Sequence, residues 1–198
     1  DMSDGAALCS VMADADVVFH LASGSLPQSS NRDPFGDVQV NLLGGLNVLE
    51  AARQAGVDRL LMVSSGGTVY GPPQRVPIPE DHPTNPTCAY GISKLALEKY
   101  VALYEQLHGL RGLVLRVANP YGERQRLDSA QGVIPVFLGR ALRNEPLEIW
   151  GSGTTIRDFL HISDVVKALL AVAVYDGTER LFNVGSGQGT TLNELVQL

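Results

Sequence analysis

Short β-branched and aliphatic runs alternate along this chain with longer stretches of helical period. Asp16 to Ala22 (DVVFHLA) reads as a buried strand, preceded by a helical stretch from about Gly5 to Ala13. A long helix is predicted from roughly Asp33 to Ala55, with apolar residues at Val38, Leu42, Leu46 and Leu49 and a stop at Gly56. Arg59 to Ser65 (RLLMVSS) is a second strand, which runs into a Gly/Pro-rich loop from Gly66 to Pro86. A helix from about Ala89 to His108 ends near Gly109, and a strand follows from Gly112 to Ala118. Beyond Asn119 the pattern loosens: a helix from about Val133 to Arg143, a short strand Leu147–Trp150, a strand Ile156–Leu160, a helix from Ser163 to about Val174 and a strand Leu181–Val184. Strands alternating with long helices imply right-handed crossovers and a parallel sheet covered on both faces. The predicted fold is therefore doubly wound α/β, with 1–118 as one unit and 119–198 as a smaller α/β lobe whose elements mix with the first.

Composition removes several alternatives. Of 198 residues 44% are apolar and 18% charged, a globular balance. A chain of this length buries roughly 70% of its unfolded surface, so it needs no disulfide or metal staple. Cys9 and Cys88 form no CxxC or Cys/His cluster, which argues against a zinc site and a disulfide scaffold. A net charge of −6 without a basic patch argues against nucleic-acid binding. The longest apolar run, Val165–Val174, is too short to span a membrane and is interrupted by Lys167.

Candidate chemistry lies at the strand ends, where open α/β sheets bind ligands. These ends read Leu21-Ala22-Ser23-Gly24, then Ser64-Ser65-Gly66-Gly67-Thr68-Val69-Tyr70-Gly71, then Ala118-Asn119-Pro120-Tyr121-Gly122. All three are rich in small or polar residues that let a ligand approach backbone closely. The sharpest signal is Tyr90-Gly91-Ile92-Ser93-Lys94, because Tyr and Lys four apart share one helical face. A nearby ammonium is expected to favour phenolate, lowering the Tyr pKa from its usual ~10 and giving a base for an alcohol proton.

Together with Val18-Phe19-His20-Leu21-Ala22, Leu115-Arg116 and Arg157-Asp158-Phe159-Leu160-His161, these segments resemble the extended short-chain dehydrogenase/reductases. Within them the chain is most similar to the NAD-dependent nucleotide-sugar epimerase/dehydratase group, and there to the UDP-glucose 4-epimerases. The resemblance covers nearly the whole chain in order. It implies a Rossmann-like cofactor domain lacking its first strands. Tyr90 would be the base on the sugar 4-hydroxyl, and Lys94 would bind the nicotinamide ribose and depress the Tyr90 pKa. Hydride would leave sugar C4 and return to the other face of a 4-keto intermediate, so NAD ends as it began.

The resemblance also assigns cofactor contacts to Asp1 and Met2, to Leu21, Ala22 and Ser23, to Asn41, to Ser64 at the nicotinamide end, and to Pro120 near the ring. On the substrate side it places Asn119 at the diphosphate and Arg157 at a phosphate, adds Val133, and puts Glu148 and Trp150 at the uracil. Trp150 reads equally well as a core aromatic, and His161 as structural. The implied partner is a nucleotide sugar, a UDP-hexose or its uronate, handled by a cytoplasmic homodimer. Its interface would be formed by the helices at about 33–55 and 89–108, with Leu43, Val48, Leu97 and Tyr104 on the exposed face.

Two departures qualify this. Most relatives carry Ser or Thr four residues before the Tyr of the VYG segment; here that position is Gly66, leaving Thr68 or Ser65 to supply the hydroxyl. Dehydratases of the family place an acid just before VYG, where this chain has Gly67 and Thr68, which favours epimerase. The Gly-rich pyrophosphate turn does not occur in these 198 residues, and the chain opens Asp1-Met2-Ser3-Asp4 and closes in a helical pattern. The sequence therefore reads as a fragment of a longer enzyme. The rival functions are another nucleotide-sugar decarboxylase, dehydratase or reductase of the same superfamily, or a non-catalytic relative marked by Gly66.

Overall fold

The structure, a computed structural model, describes residues 1–127 and 132–198. Its main sheet is parallel, in the order β1 (Val17–His20), β2 (Arg59–Ser65), β3 (Arg111–Val117), β6 (Leu181–Val184). A smaller sheet contains β4 (Asn119–Tyr121), β5 (Ile156–His161) and β7 (Gly189–Thr191), with β4 and β5 parallel and β5 and β7 antiparallel. The main sheet is thus parallel as expected, and the antiparallel pair belongs to the smaller sheet alone.

Alternation along β2 and β3 builds a core on each face of the main sheet. Leu60, Met62 and Val114 face Val48, Leu49, Ala52, Leu97 and Val101 from α4 (Gly44–Ala55) and α5 (Ala89–His108), with Met12 of α1 (Gly5–Met12) on the same side. Leu61, Leu113 and Leu115 face Val165, Leu169 and Val172 from α7 (Ile162–Ala173). Sheet β2–β3 is thus covered on both sides, as a parallel sheet requires. β1 has a neighbour on one side only within these residues, and Phe19 is 40% exposed, so this strand is less buried than its apolar run predicts.

The long helix expected at 33–55 is an uninterrupted helical rod with a change of pitch. It runs through α3 (Pro34–Asp37), a π-helical segment (Val38–Leu43) and α4. Asp33 caps it, accepting from Gly36 N, and Gly56 closes it at φ 73°, a left-handed position suited to glycine. Gly45 lets α4 approach α5, since a Cβ there would lie 2.3 Å from Leu97 Cδ2. Val48 and Leu97, expected on an exposed face, are therefore core residues, 4% and 1% exposed. The apolar positions these helical segments do expose include Leu43, Leu103 and Leu107.

Two further expectations change. Residues 147–150 form no strand, because they pair with no strand among the described residues. Conversely, β4 and β7 are strands that the sequence pattern does not announce, each being three residues long. The chain leaves the main sheet after β3, builds β4, α6 (Val133–Leu142), β5 and α7, and returns to it in β6 beside β3. Short helices α2 (Pro27–Ser30) and α8 (Leu192–Gln197) complete the described elements.

Candidate active site

The start of α5 is fixed by the turn that follows β1. Ala89 N donates to Asn31 Oδ1 at 2.9 Å and Tyr90 N to Ser30 Oγ at 3.1 Å, satisfying two of the N–H groups a helix start leaves open. The first turns of α5 carry Tyr90 and Lys94 on one face, with the ammonium 5.7 Å from the Tyr90 ring centroid. Gly91 brings this turn against the loop after β2, since a Cβ would lie 2.6 Å from the Thr68 carbonyl oxygen.

Lys94 is 4% exposed and donates to the Val63 carbonyl at 3.1 Å. Burial lowers its pKa to about 8, opposed by the Asp37 and Glu98 carboxylates, which favour the charged form. Tyr90 is displaced upward, first by burial; a hydrogen bond with Ser23 pulls it down, while the charges of Asp37 and Cys88 add to the rise. This corrects the expectation of a phenol lowered by Lys94: in this state the ammonium is aimed at β2 backbone. His20, at the end of β1, is held neutral, its pKa lowered to about 4 by burial and then by the Lys94 charge.

Behind this pair lies a closed polar cluster. Asp37, 2% exposed, accepts from Ser25 Oγ, from Asn41 Nδ2 at 2.8 Å and from Ser93 Oγ at 2.6 Å. Asn41 Oδ1 in turn accepts from Ser23 Oγ at 3.1 Å and Gly24 N at 3.0 Å. The predicted Ser23 and Asn41 are thus brought together beside Tyr90, with Leu21 and Ala22 exposed at the strand end. Met2 packs on Gly44 and its carbonyl accepts from Asn47 at 2.9 Å, which sets it and exposed Asp1 along the same helical rod.

A second cluster lies under the loop after β2. Ser64 Oγ donates to Glu98 Oε1, and Arg116 grips the same carboxylate through Nη2 at 2.6 Å and Nε at 3.1 Å. The guanidinium carbon lies 4.5 Å from the Tyr70 ring centroid, and Tyr70 Oη donates to Asn183 Oδ1 at 2.7 Å. Ser64 therefore directs its hydroxyl into α5, at 4% exposure. Tyr70, Glu98, Arg116 and Asp37 were not assigned from the sequence. Their signals were present: Glu98 is four residues beyond Lys94, and Arg116 interrupts an otherwise apolar strand.

At the loop itself, Gly66 donates to the Val117 carbonyl at 2.8 Å, and a Cβ there would lie 3.1 Å from the carbonyl oxygens of Arg116 and Val117. A side chain at 66 would thus press on the end of β3. Ser65 Oγ accepts from Thr68 N at 3.3 Å, whereas Thr68 Oγ1 is buried with no partner among the described residues.

The smaller sheet builds a separate cavity of about 130 Å³, whose walls include Asn119, Pro120, Val133, Arg157 and Phe159. Asn119 Nδ2 donates to the Asp158 carbonyl at 3.0 Å, and exposed Arg157 to the Ile156 carbonyl at 2.9 Å. Asp158 anchors the turn after β6 by accepting from Ser186 N, Ser186 Oγ and Gly187 N. Pro120 lies in this cavity beside Asn119. Glu148 and Trp150 lie outside its walls; Glu148 is 3.7 Å from Arg140 and Trp150 is 74% exposed, so Trp150 is no core aromatic. His161 caps α7, accepting from Ser163 N, and stacks edge-on with Tyr121.

Known proteins resemble this chain in sequence and fold. The chain is 39% identical over 185 residues to a putative UDP-glucose 4-epimerase of Methanocaldococcus jannaschii, covering 93% of this chain and 60% of that protein. The Thermotoga maritima UDP-glucose 4-epimerase, solved with UDP-glucose, superposes with a TM-score of 0.94 at 36% identity, over all of this chain and 64% of that one. The Thermus thermophilus UDP-glucose 4-epimerase, solved with NAD, gives 0.90 at 36% identity, over all of this chain and 65% of that one. The chain spans less than two thirds of each of these relatives. The model of the NAD-dependent epimerase/dehydratase family matches residues 1–185, and to that family this chain belongs.

Proposed function

We propose that this chain carries the proton-transfer centre of an NAD-dependent nucleotide-sugar 4-epimerase acting on a UDP-hexose or its uronate. The observation that carries the reading is the placement of half-buried Tyr90 and buried Lys94 on one helical face at the ends of β1 and β2, with Ser23 on the phenol. The residues fit a dinucleotide. Lys94 spends one of its three protons on Val63, leaving two for a diol, and Leu21 to Ser23 offer an open, small-residue edge. Bound along that edge, NAD would supply a reversible hydride acceptor.

Tyr90 takes the sugar hydroxyl proton and gives it back. Burial raises its pKa, so the phenolate depends on the Lys94 ammonium beside it for stabilisation. Thr68 supplies the hydroxyl that Gly66 lacks: Ser65 Oγ already accepts from Thr68 N, while the buried Thr68 Oγ1 has no partner among the described residues, a state costing about 1–3 kcal/mol unless it is satisfied. Asn119 and Arg157 hold the nucleotide phosphates through charge-assisted contacts in the cavity of the smaller sheet.

The test is interconversion of UDP-glucose and UDP-galactose by the full-length protein, without net NADH. Tyr90→Phe is expected to lower turnover by roughly 10²–10⁴-fold with sugar-nucleotide affinity retained. Full turnover in that variant would remove the mechanism, and net NADH production would point to a dehydrogenase or decarboxylase instead.

A further inference from the structure

The carboxylate of Asp37 is the one member of the site cluster with no evident structural necessity for its charge. It is 2% exposed, it has no ion-pair partner among the described residues, and its three hydrogen bonds come from neutral donors: Ser25, Asn41 and Ser93. A buried carboxylate held by neutral donors alone is expensive, and an amide or hydroxyl could serve the same geometry at lower cost. Its placement is specific. Ser93 lies between Tyr90 and Lys94 in the chain, and Asn41 holds Ser23, which bonds Tyr90.

We infer that Asp37 is a positioning residue that sets the charge state of the Tyr90–Lys94 pair through space, fixed for that task by Ser93 and Asn41. This rests on the reading of Tyr90 and Lys94 as the proton-transfer pair. The groups facing Lys94 are Asp37 from α3, Glu98 and Tyr90 from α5 and the neutral His20 from β1. Of the two carboxylates, Asp37 acts on it more strongly. Facing Tyr90 are Asp37, Cys88, Ser23 and Lys94. The Asp37 charge keeps Lys94 protonated against burial and at the same time opposes the phenolate. The one charge therefore raises both groups, on top of what burial, Glu98, Cys88 and Ser23 do to each, and moves both edges of the working pH range the same way.

Asp37→Asn separates charge from geometry. The amide oxygen can keep the Ser25 and Asn41 protons while its NH2 donates to Ser93 Oγ. In full-length protein carrying ¹³C-labelled lysine, with the Lys94 signal assigned by Lys94→Arg, the Lys94 titration midpoint is expected to fall by about one pH unit in Asp37→Asn. It should stay in place in Asp37→Glu. In turnover, both limbs of the pH profile should move toward acid together. Should Asp37→Asn fail to fold, Asp37→Ser, which keeps an acceptor for Asn41, is read in the same way. An unmoved Lys94 midpoint in the neutral variant overturns the proposal and leaves Asp37 as packing. A shifted midpoint in a protein without epimerase turnover upholds the assignment of Asp37 while removing the substrate reading.

Discussion

The two sheets solve opposite problems with polar residues. The main sheet hides them: Asp37, Asn41, Ser64, Ser93, Lys94, Glu98 and Arg116 are all buried, and their side chains bond to one another, to the serines of the turn after β1 or to backbone. The smaller sheet leaves Arg157 exposed and lines a shallow cavity with Asn119 and Pro120. Buried polar groups are fixed in place by the cost of breaking them, whereas exposed ones are free to exchange water for a ligand. On the proposed function, the difference separates orientation for proton transfer from recognition of an anionic ligand.

The sharpest way to break that contrast is Arg116→Met, which strands the Glu98 carboxylate in the core. It is expected to cost about 3–5 kcal/mol in urea unfolding of the full-length protein. Replacing both partners with apolar residues should recover most of that loss; a loss under about 1 kcal/mol for the single change would mean the pair is hydrated.

Next in size is acid sensitivity. The folded His20 value of about 4 lies below the unfolded 6.5, so the folded chain binds fewer protons. The stabilisation is complete above pH 6.5 and is lost as pH falls toward 4, at up to about 1.4 kcal/mol per pH unit. His20→Gln should flatten unfolding free energy over that range, and an unchanged slope would show that other groups govern it.

The smallest effect on the fold belongs to the other sheet. Arg157→Ala is expected to leave Tm within a degree or two while weakening UDP binding, by calorimetry, roughly tenfold. A large drop in Tm would erase the distinction between the two regions.

The elements that local pattern defines were legible. β2, α5 and β6 fall within one residue of the boundaries read from apolar runs and from Gly109. So was the juxtaposition of Tyr90 with Lys94, since four residues make one helical neighbourhood whatever surrounds them. What pairing decides was not legible. Leu147–Trp150 alternates like a strand but pairs with no strand among the described residues, and Phe19 belongs to a strand with a neighbour on one side there. Ser64 stands at the end of β2 as its place in the strand predicts, but the direction of its hydroxyl depends on Glu98, thirty-four residues away. The Asp37 cluster was hidden for another reason: it depends on the π-helical pitch, which no 3.6-residue period announces.

That pitch change carries a consequence for how the rod is phased. A π segment winds more residues into each turn than the helices flanking it, so it offsets the angular register of everything before it from everything after. Val48, Leu49 and Ala52 can then face the sheet while Asp37 and Asn41 face α5 and the turn after β1. The segment acts as a gear between two faces, letting core packing drift in sequence without turning the site residues out of alignment. Loss of one residue within Val38–Leu43 would strip that gear. It would swing Asp37 by about a quarter-turn from Ser93 and leave the hydrophobic face of α4 unchanged.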